Sequence, residues 1–166
     1  MLNIHFFCVG GTIDKIYFDA NSKYEVGSPA VKALLANLPT NIAATVTSVM
    51  AKDSLEMTDE DRVDLLDAVS AAPQKLIVIT HGTDTMPLTA EYLKQKGGDK
   101  LADKVIVMTG ALAPAIFKDS DAEFNLGSAI AATQCLNPGV YIAMNGEVFE
   151  AGKVYKDVEK GRFFAR

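Results

Sequence analysis

A chain of 166 residues with 49% hydrophobic and 22% charged side chains suits one packed domain and is too apolar for global disorder. Its formal net charge of -5 weighs against nucleic acid or an anionic membrane surface as a partner, since both call for a basic patch. No run of about 20 apolar residues is present, so no helix of this chain is expected to span a bilayer. The opening MLNIHFFCVGG lacks a basic segment and reads as a strand rather than a signal peptide. Cys8 and Cys135, both in apolar surroundings in the sequence, read as reduced core residues, and the cytoplasm is the expected compartment.

The first strand, NIHFFCV, runs into Gly10-Gly11-Thr12 and then a polar stretch that reaches Tyr24. SPAVKALLANL follows as a helix, with Ser28 expected as its cap and Pro29 at its first position. AATVTSVM is the second strand. TDEDRVDLLDAVSAA is a helix capped by Thr58, with acids in its first turn. The strand KLIVIT comes next, then the helix MPLTAEYLKQKGG, which stops on paired glycines. The strand KVIVMTG, the helix DAEFNLGSAIAATQCL and the strand GVYIAMNG complete the alternation. EVFEAGKVYK is expected to form a small hairpin turning near Ala151-Gly152.

Val, Ile and Met crowd both faces of the central runs, which marks strands covered on both sides. The expected fold is therefore α/β: an open, mostly parallel sheet in a three-layer, flavodoxin- or Rossmann-like sandwich, with a C-terminal β-hairpin. Ligands of such sheets bind beyond the carboxyl ends of the strands. That directs attention to GGTID, AKDSLEMT, HGTDTM and GALAPAIFKDSD, the four segments that follow strands.

VGGTID is neither GxGxxG nor a P-loop, and HExxH and CxxC spacings are missing. Taken alone, Thr12 reads as a polar turn residue rather than as a nucleophile. THGTDTM carries five hydrogen-bonding side chains directly after an apolar strand. A helix cap by Asp84 or Thr85 accounts for one or two of them. His81 reads as a structural, hydrogen-bonded histidine, and His5 lies inside the first strand, so a serine-histidine triad is poorly supported. A threonine nucleophile would need another base. Tyr24 and a lysine of the C-terminal hairpin are candidates, and the lysines are too numerous for sequence logic to choose among them.

GGTID (10–14), YEVG (24–27), DSLEMT (53–58), THGTDTM (80–86), VMTGALAP (107–114), FNL (124–126) and MNGEVFEAGKVYK (144–156) together resemble the bacterial-type L-asparaginase family. The resemblance implies hydrolysis of a small amino-acid amide, L-asparagine and in some members glutamine, through an acyl-threonine, with no metal or organic cofactor. It implies Thr12 as nucleophile, Tyr24 as its partner on a lid over 14–24, and Thr83, Asp84 and Lys156 as a second catalytic group. Ser54 corresponds to the serine that binds the substrate α-carboxylate. Asp84 corresponds to a group facing the α-ammonium, and the Ala111 carbonyl to one contacting the side-chain amide. Gly11 and Gly82 shape loops that present backbone N–H groups.

Leu55 and Ala113 depart from the family pattern, standing where a polar residue and an arginine are usual. Typical members are about twice as long, with a second domain that a neighbouring subunit brings to the site. Residues 1–166 are expected to form a single catalytic domain of the N-terminal type, working as a dimer or tetramer. The two phenylalanines of RFFA are expected to be exposed and to seek a partner. An acid from a neighbouring copy, Asp19, Glu25, Glu147 or Glu150, would replace the missing ammonium ligand. Rival readings are an asparaginase-glutaminase, a related amidase, and a domain that binds asparagine or aspartate without turnover.

Overall fold

A computed structural model describes residues 1–166. In chain order the elements are β1 (Leu2–Gly10), β2 (Lys15–Phe18), β3 (Lys23–Val26), α1 (Ala30–Ala36), β4 (Ile42–Lys52), α2 (Asp59–Ala71) and β5 (Leu76–Thr80). They continue with α3 (Met86–Gly97), β6 (Val105–Thr109), α4 (Ala122–Cys135), β7 (Gly139–Met144), β8 (Glu147–Glu150), β9 (Val154–Asp157) and β10 (Arg162–Ala165). The main sheet has the order β4-β1-β5-β6-β7-β8. All its pairings are parallel except β7 with β8. Strand order reverses at β1, where β4 lies on one side and β5 on the other, so the crevice at the β1/β5 ends is the switch point.

Alternation along the strands feeds two cores. Ile4, Phe6 and Cys8 of β1 pack on one face with Leu126 and Ala129 of α4 and Val31 of α1. Phe7 and Val9 turn to the other face, with Leu65 and Val69 of α2 and Ala90 and Leu93 of α3. Val78 of β5 serves the first core, Ile77 and Ile79 the second. Removal of apolar surface from water on both faces is what makes these strands continuous hydrophobic runs.

The start of α2 is held as expected. Thr58 Oγ1 accepts from the Asp61 N–H (3.2 Å) and Asp61 Oδ2 accepts from the Thr58 N–H (2.8 Å). Lys52 at the end of β4 also reaches Asp61, at 2.8 Å, and brackets the intervening 53–57 loop. The start of α1 differs. Ser28 is exposed and makes no capping bond; the first helical N–H, that of Ala30, is held instead by Asp14 Oδ1 at 2.8 Å. A buried acid from the preceding turn has taken the capping role.

The C-terminal segment also pairs differently from expectation. Asn145 and Gly146 both have positive φ (55° and 82°) and join Met144 to Glu147 in a two-residue turn. That is the geometry for which Asn-Gly is favoured, and it sends β8 back along β7. The chain does turn at Gly152 (φ 86°), but β9 then pairs with β10. The antiparallel hairpin is thus 154–165 rather than 147–156. Nor is RFFA an exposed apolar tail: Phe163 is 1% exposed and belongs to the larger core, and Phe164 lies against Tyr155. Cys8 is buried, whereas Cys135 is exposed, and both are free thiols. No helix is long and apolar enough to cross a membrane.

Candidate active site

Close backbone contact between strand ends builds the rim. Gly11 has φ 83° and ψ -175°, a conformation essentially reserved for glycine. A Cβ there would collide with the Cα and N of Gly82. A Cβ on Gly82 would in turn lie 2.6 Å from Ser54 Cβ and 2.7 Å from Ser54 Oγ. Gly110 meets the His81 carbonyl in the same way. The loops after β1, β4, β5 and β6 therefore meet closely at their glycines, and this brings the segments of Thr12, Ser54, Thr83 and Ala111 to one rim.

Thr83, Asp84 and Lys156 form a bonded group. Lys156 Nζ, on β9, donates to Thr83 Oγ1 at 2.8 Å and to Asp84 Oδ1 at 2.5 Å. Its side chain is 10% exposed, and that of Asp84 35%. Lys156 is brought there through β10: Phe163 pairs with it across the hairpin, buries its ring in the core, and donates its N–H to Asn145 Oδ1 at 2.8 Å. The ammonium thus stands over two residues 72 or more positions earlier in the chain.

Thr12 lies half-buried on the turn after β1. The Gly11 N–H is committed to the Lys52 carbonyl at 2.9 Å, whereas the N–H groups of Gly82 and Thr83 donate to no acceptor in the chain. The 14–24 stretch, expected as a lid, is a hairpin in which Tyr17 pairs with Tyr24. A Lys15–Asp53 ion pair of 3.1 Å ties it to the loop of Ser54. Tyr24 stands on the outer rim, 49% exposed, with its ring edge-on to Phe117 at 5.6 Å between centroids. The structure does not join its hydroxyl to Thr12.

Several positioning residues escape notice in the sequence. Thr85, suggested above as a helix cap, makes no cap bond with its side chain; its Oγ1 donates to the Ser54 carbonyl at 2.8 Å and its N–H to Ser54 Oγ at 3.4 Å. Ser54 itself is 2% exposed. Asp121 and Asn125 clamp the loop around the buried Ala111. Asn125 Nδ2 donates to the Gly110 carbonyl (3.0 Å) and to Asp121 Oδ2 (2.8 Å). Asp121 accepts from the Leu112 N–H (3.0 Å) and the Ala113 N–H (3.1 Å). The Ala111 carbonyl accepts no bond from the chain and is left between two fixed peptides. The FNL segment was part of the sequence signal, but nothing in it showed where Asn125 reaches.

His81 is structural, as read. Its ring is fully buried, with Nδ1 2.7 Å from the Gly82 carbonyl and Nε2 2.9 Å from Thr89 Oγ1. Arg62 Nε donates to the same Thr89 hydroxyl at 3.1 Å. One set of protons satisfies the series: Arg62 to Thr89, Thr89 to Nε2, and Nδ1–H to the Gly82 carbonyl. Burial pulls the imidazole down to about 4, so it is neutral at pH 7 and holds the loop without accepting a proton. His5 likewise bridges Thr47 and Gln74, far from the rim.

The family described as Asparaginase, N-terminal, matches residues 3–162. The chain belongs to the asparaginase family. It is 35% identical over 163 residues to the probable periplasmic L-asparaginase of Haemophilus influenzae, with 93% of this chain and 46% of that protein covered. A glutaminase-asparaginase of Acinetobacter glutaminasificans is 32% identical over 171 residues, covering 96% of this chain and 50% of the relative. The solved structure of a probable cytoplasmic L-asparaginase from Campylobacter jejuni superposes with a TM-score of 0.83 at 27% identity, over 99% of this chain and 53% of that one. The chain thus spans about half the length of the asparaginases it matches. Two features of this asparaginase-family rim differ from the expected pattern: Leu55, beside Ser54, is 73% exposed, and Ala113 offers the loop only backbone groups, its N–H to Asp121 and its carbonyl to Ser120.

Proposed function

We propose that residues 1–166 form a catalytic domain that hydrolyses L-asparagine to L-aspartate and ammonia through an ester on Thr12. The observation that carries this is the Lys156–Thr83–Asp84 group, set beside Thr12 by the Gly11–Gly82 contact. A sensor of amino acids has no use for an ammonium bonded to a second threonine. Ser54 Oγ binds the substrate α-carboxylate, Asp84 faces its α-ammonium, and the Ala111 carbonyl accepts from the side-chain amide.

Once the hairpin has moved inward, Thr12 Oγ attacks the amide carbon while its proton passes to the Tyr24 oxygen and the Tyr24 phenolic proton passes to the amide nitrogen. The free N–H groups after the glycines receive the developing oxyanion. Ammonia leaves with the returned proton, and a water attacks the ester. Within the Thr83–Lys156–Asp84 group the Asp84 carboxylate takes the proton of that water, and the proton returns to the Thr12 oxygen as the ester C–O bond breaks.

An enzyme that also accepts glutamine is the second reading, favoured by the glutaminase-asparaginase relative. Assembly as a dimer or tetramer is part of the proposal. The 112–124 rim segment supports it, exposing Leu112, Ile116, Phe117 and Phe124. So is a cytoplasmic site of action, for which the solved structure named above is a precedent and the periplasmic relative a counterexample.

Ammonia release from asparagine and glutamine, with Thr12→Ala as control, tests the proposal. Turnover that vanishes in the variant supports it. Asparagine that raises the melting temperature of a well-folded wild type without turnover overturns it in favour of a binding domain.

A further inference from the structure

Asp14 has no part in the proposed chemistry and occupies an unusual position. It is 2% exposed, and the only hydrogen bond to its carboxylate comes from the Ala30 N–H, at 2.8 Å on Oδ1. A carboxylate offers about four lone-pair positions, so most of its acceptor capacity is unused. No cation is paired with it. The adjacent Lys15 is committed to Asp53 at 3.1 Å. Burial pushes the carboxyl up to about 6, as expected of a charge removed from water without a counter-ion.

Asp14 is among the residues lining a cavity of about 430 Å³ between the 15–26 hairpin, α1 and the start of α4. Ile13, Ile16, Leu34 and Ile116 contribute apolar walls, and Glu123 stands among the lining residues as a second acid. Lys15 also borders the cavity, with its ammonium turned to Asp53. Glu123 has no ion-pair partner in the chain. The volume falls in the range of small-molecule clefts, about 300–1,000 Å³.

We propose that this cavity binds a small primary ammonium ion with a short apolar tail, its head on Asp14 and Glu123 and its tail on the isoleucines. Three ammonium donors match the free lone pairs of Asp14, and a charge-assisted bond to a desolvated carboxylate is stronger than one from a neutral hydroxyl. The tail removes apolar wall from water. The assignment is independent of the hydrolase reading, because its test reads binding and not turnover.

The probe is n-butylammonium, titrated into the full chain at pH 7.5 and followed by amide chemical shifts, with n-butanol as the uncharged control. Saturable shifts are expected at residues 13–16, 30–34 and 115–116. Affinity is expected to be at least tenfold weaker for n-butanol, and to fall as pH drops through 6 and Asp14 takes up a proton. Asp14→Asn is expected to weaken n-butylammonium at least tenfold, and Ala33→Phe, which fills the cavity from the exposed side of α1, to abolish binding. If Asp14→Asn fails to fold, the n-butanol comparison and Ala33→Phe still decide. Equal affinity for the amine and the alcohol, or no saturable shifts in the wild type, overturns the proposal.

Discussion

Replacing Gly82 with alanine tests the packing of the rim most directly. The new Cβ would lie 2.6 Å from Ser54 Cβ, 2.7 Å from its Oγ and 3.0 Å from its N. Non-bonded carbons settle at about 3.5–4.0 Å, so Ser54 must retreat by about 1 Å. It cannot do so by rotating a side chain, because two of the three atoms met are Cβ and backbone N. Thr85 holds the Ser54 carbonyl at 2.8 Å and resists the movement. Overpacking of this kind costs about 1–3 kcal/mol. Displacing a substrate-holding group by about 1 Å costs on the order of 100-fold in catalysis. Urea unfolding should therefore show a loss of about 2 kcal/mol, and ammonia release a kcat/KM lowered about 100-fold, most of it in KM. A Gly82→Ala protein with an unchanged urea midpoint and unchanged KM would refute the claim that this contact positions Ser54.

Further tests address other parts of the site. Lys156→Met keeps the length of the side chain and removes the ammonium held by Thr83 and Asp84; kcat should fall at least 100-fold while asparagine still protects against thermal unfolding. Asp121→Ala frees the Leu112 and Ala113 N–H groups and should raise KM for asparagine several-fold with a smaller change in kcat, and an unaltered KM would remove the clamp from the mechanism. The pH dependence of stability contains two opposed contributions. Burial raises Asp14 from 3.8 to about 6, so its contribution is present below pH 3.8 and lost as pH rises through 6. Burial lowers His81 from 6.5 to about 4, so its contribution is present above pH 6.5 and lost as pH falls through 4. Each amounts to roughly 3 kcal/mol across the window, so the two nearly cancel. Asp14→Asn should expose the His81 slope, with stability dropping steeply between pH 6.5 and 4 in urea titrations. Parallel profiles for wild type and variant would contradict this assignment.

Much of the architecture was legible in local pattern. Runs such as KLIVIT are apolar on both faces because both faces are covered, and the acids after Thr58 satisfy a helix start within four residues. The chemistry-bearing loops were legible for a related reason: in a parallel sheet every strand ends on the same rim. Thr83, Asp84 and a hairpin lysine stand out in the local pattern, whereas only the family resemblance singles out Lys156 among the lysines.

Tertiary structure decided what local pattern leaves open. Ser28 has the chemistry of a cap, but Asp14, sixteen positions away from Ala30, supplies the carboxylate that holds the helix's first N–H. EVFEAGKVYK has hairpin chemistry at Gly152, but the Asn145-Gly146 turn pairs β8 with β7 first, and β9 finds its partner in β10. Phe163 reads as an exposed tail residue and is core, because β10 folds that side chain inward. Composition, periodicity and turn residues thus determined the strands of the main sheet, its helices and the rim, since those follow from neighbours in sequence, but not β2, β3 or β10. The Lys156 bridge, the Asp121–Asn125 clamp and the unpaired Asp14 depend on residues between about ten and seventy positions apart that meet only when two cores close, and hydrogen-bond reach and burial selected them there.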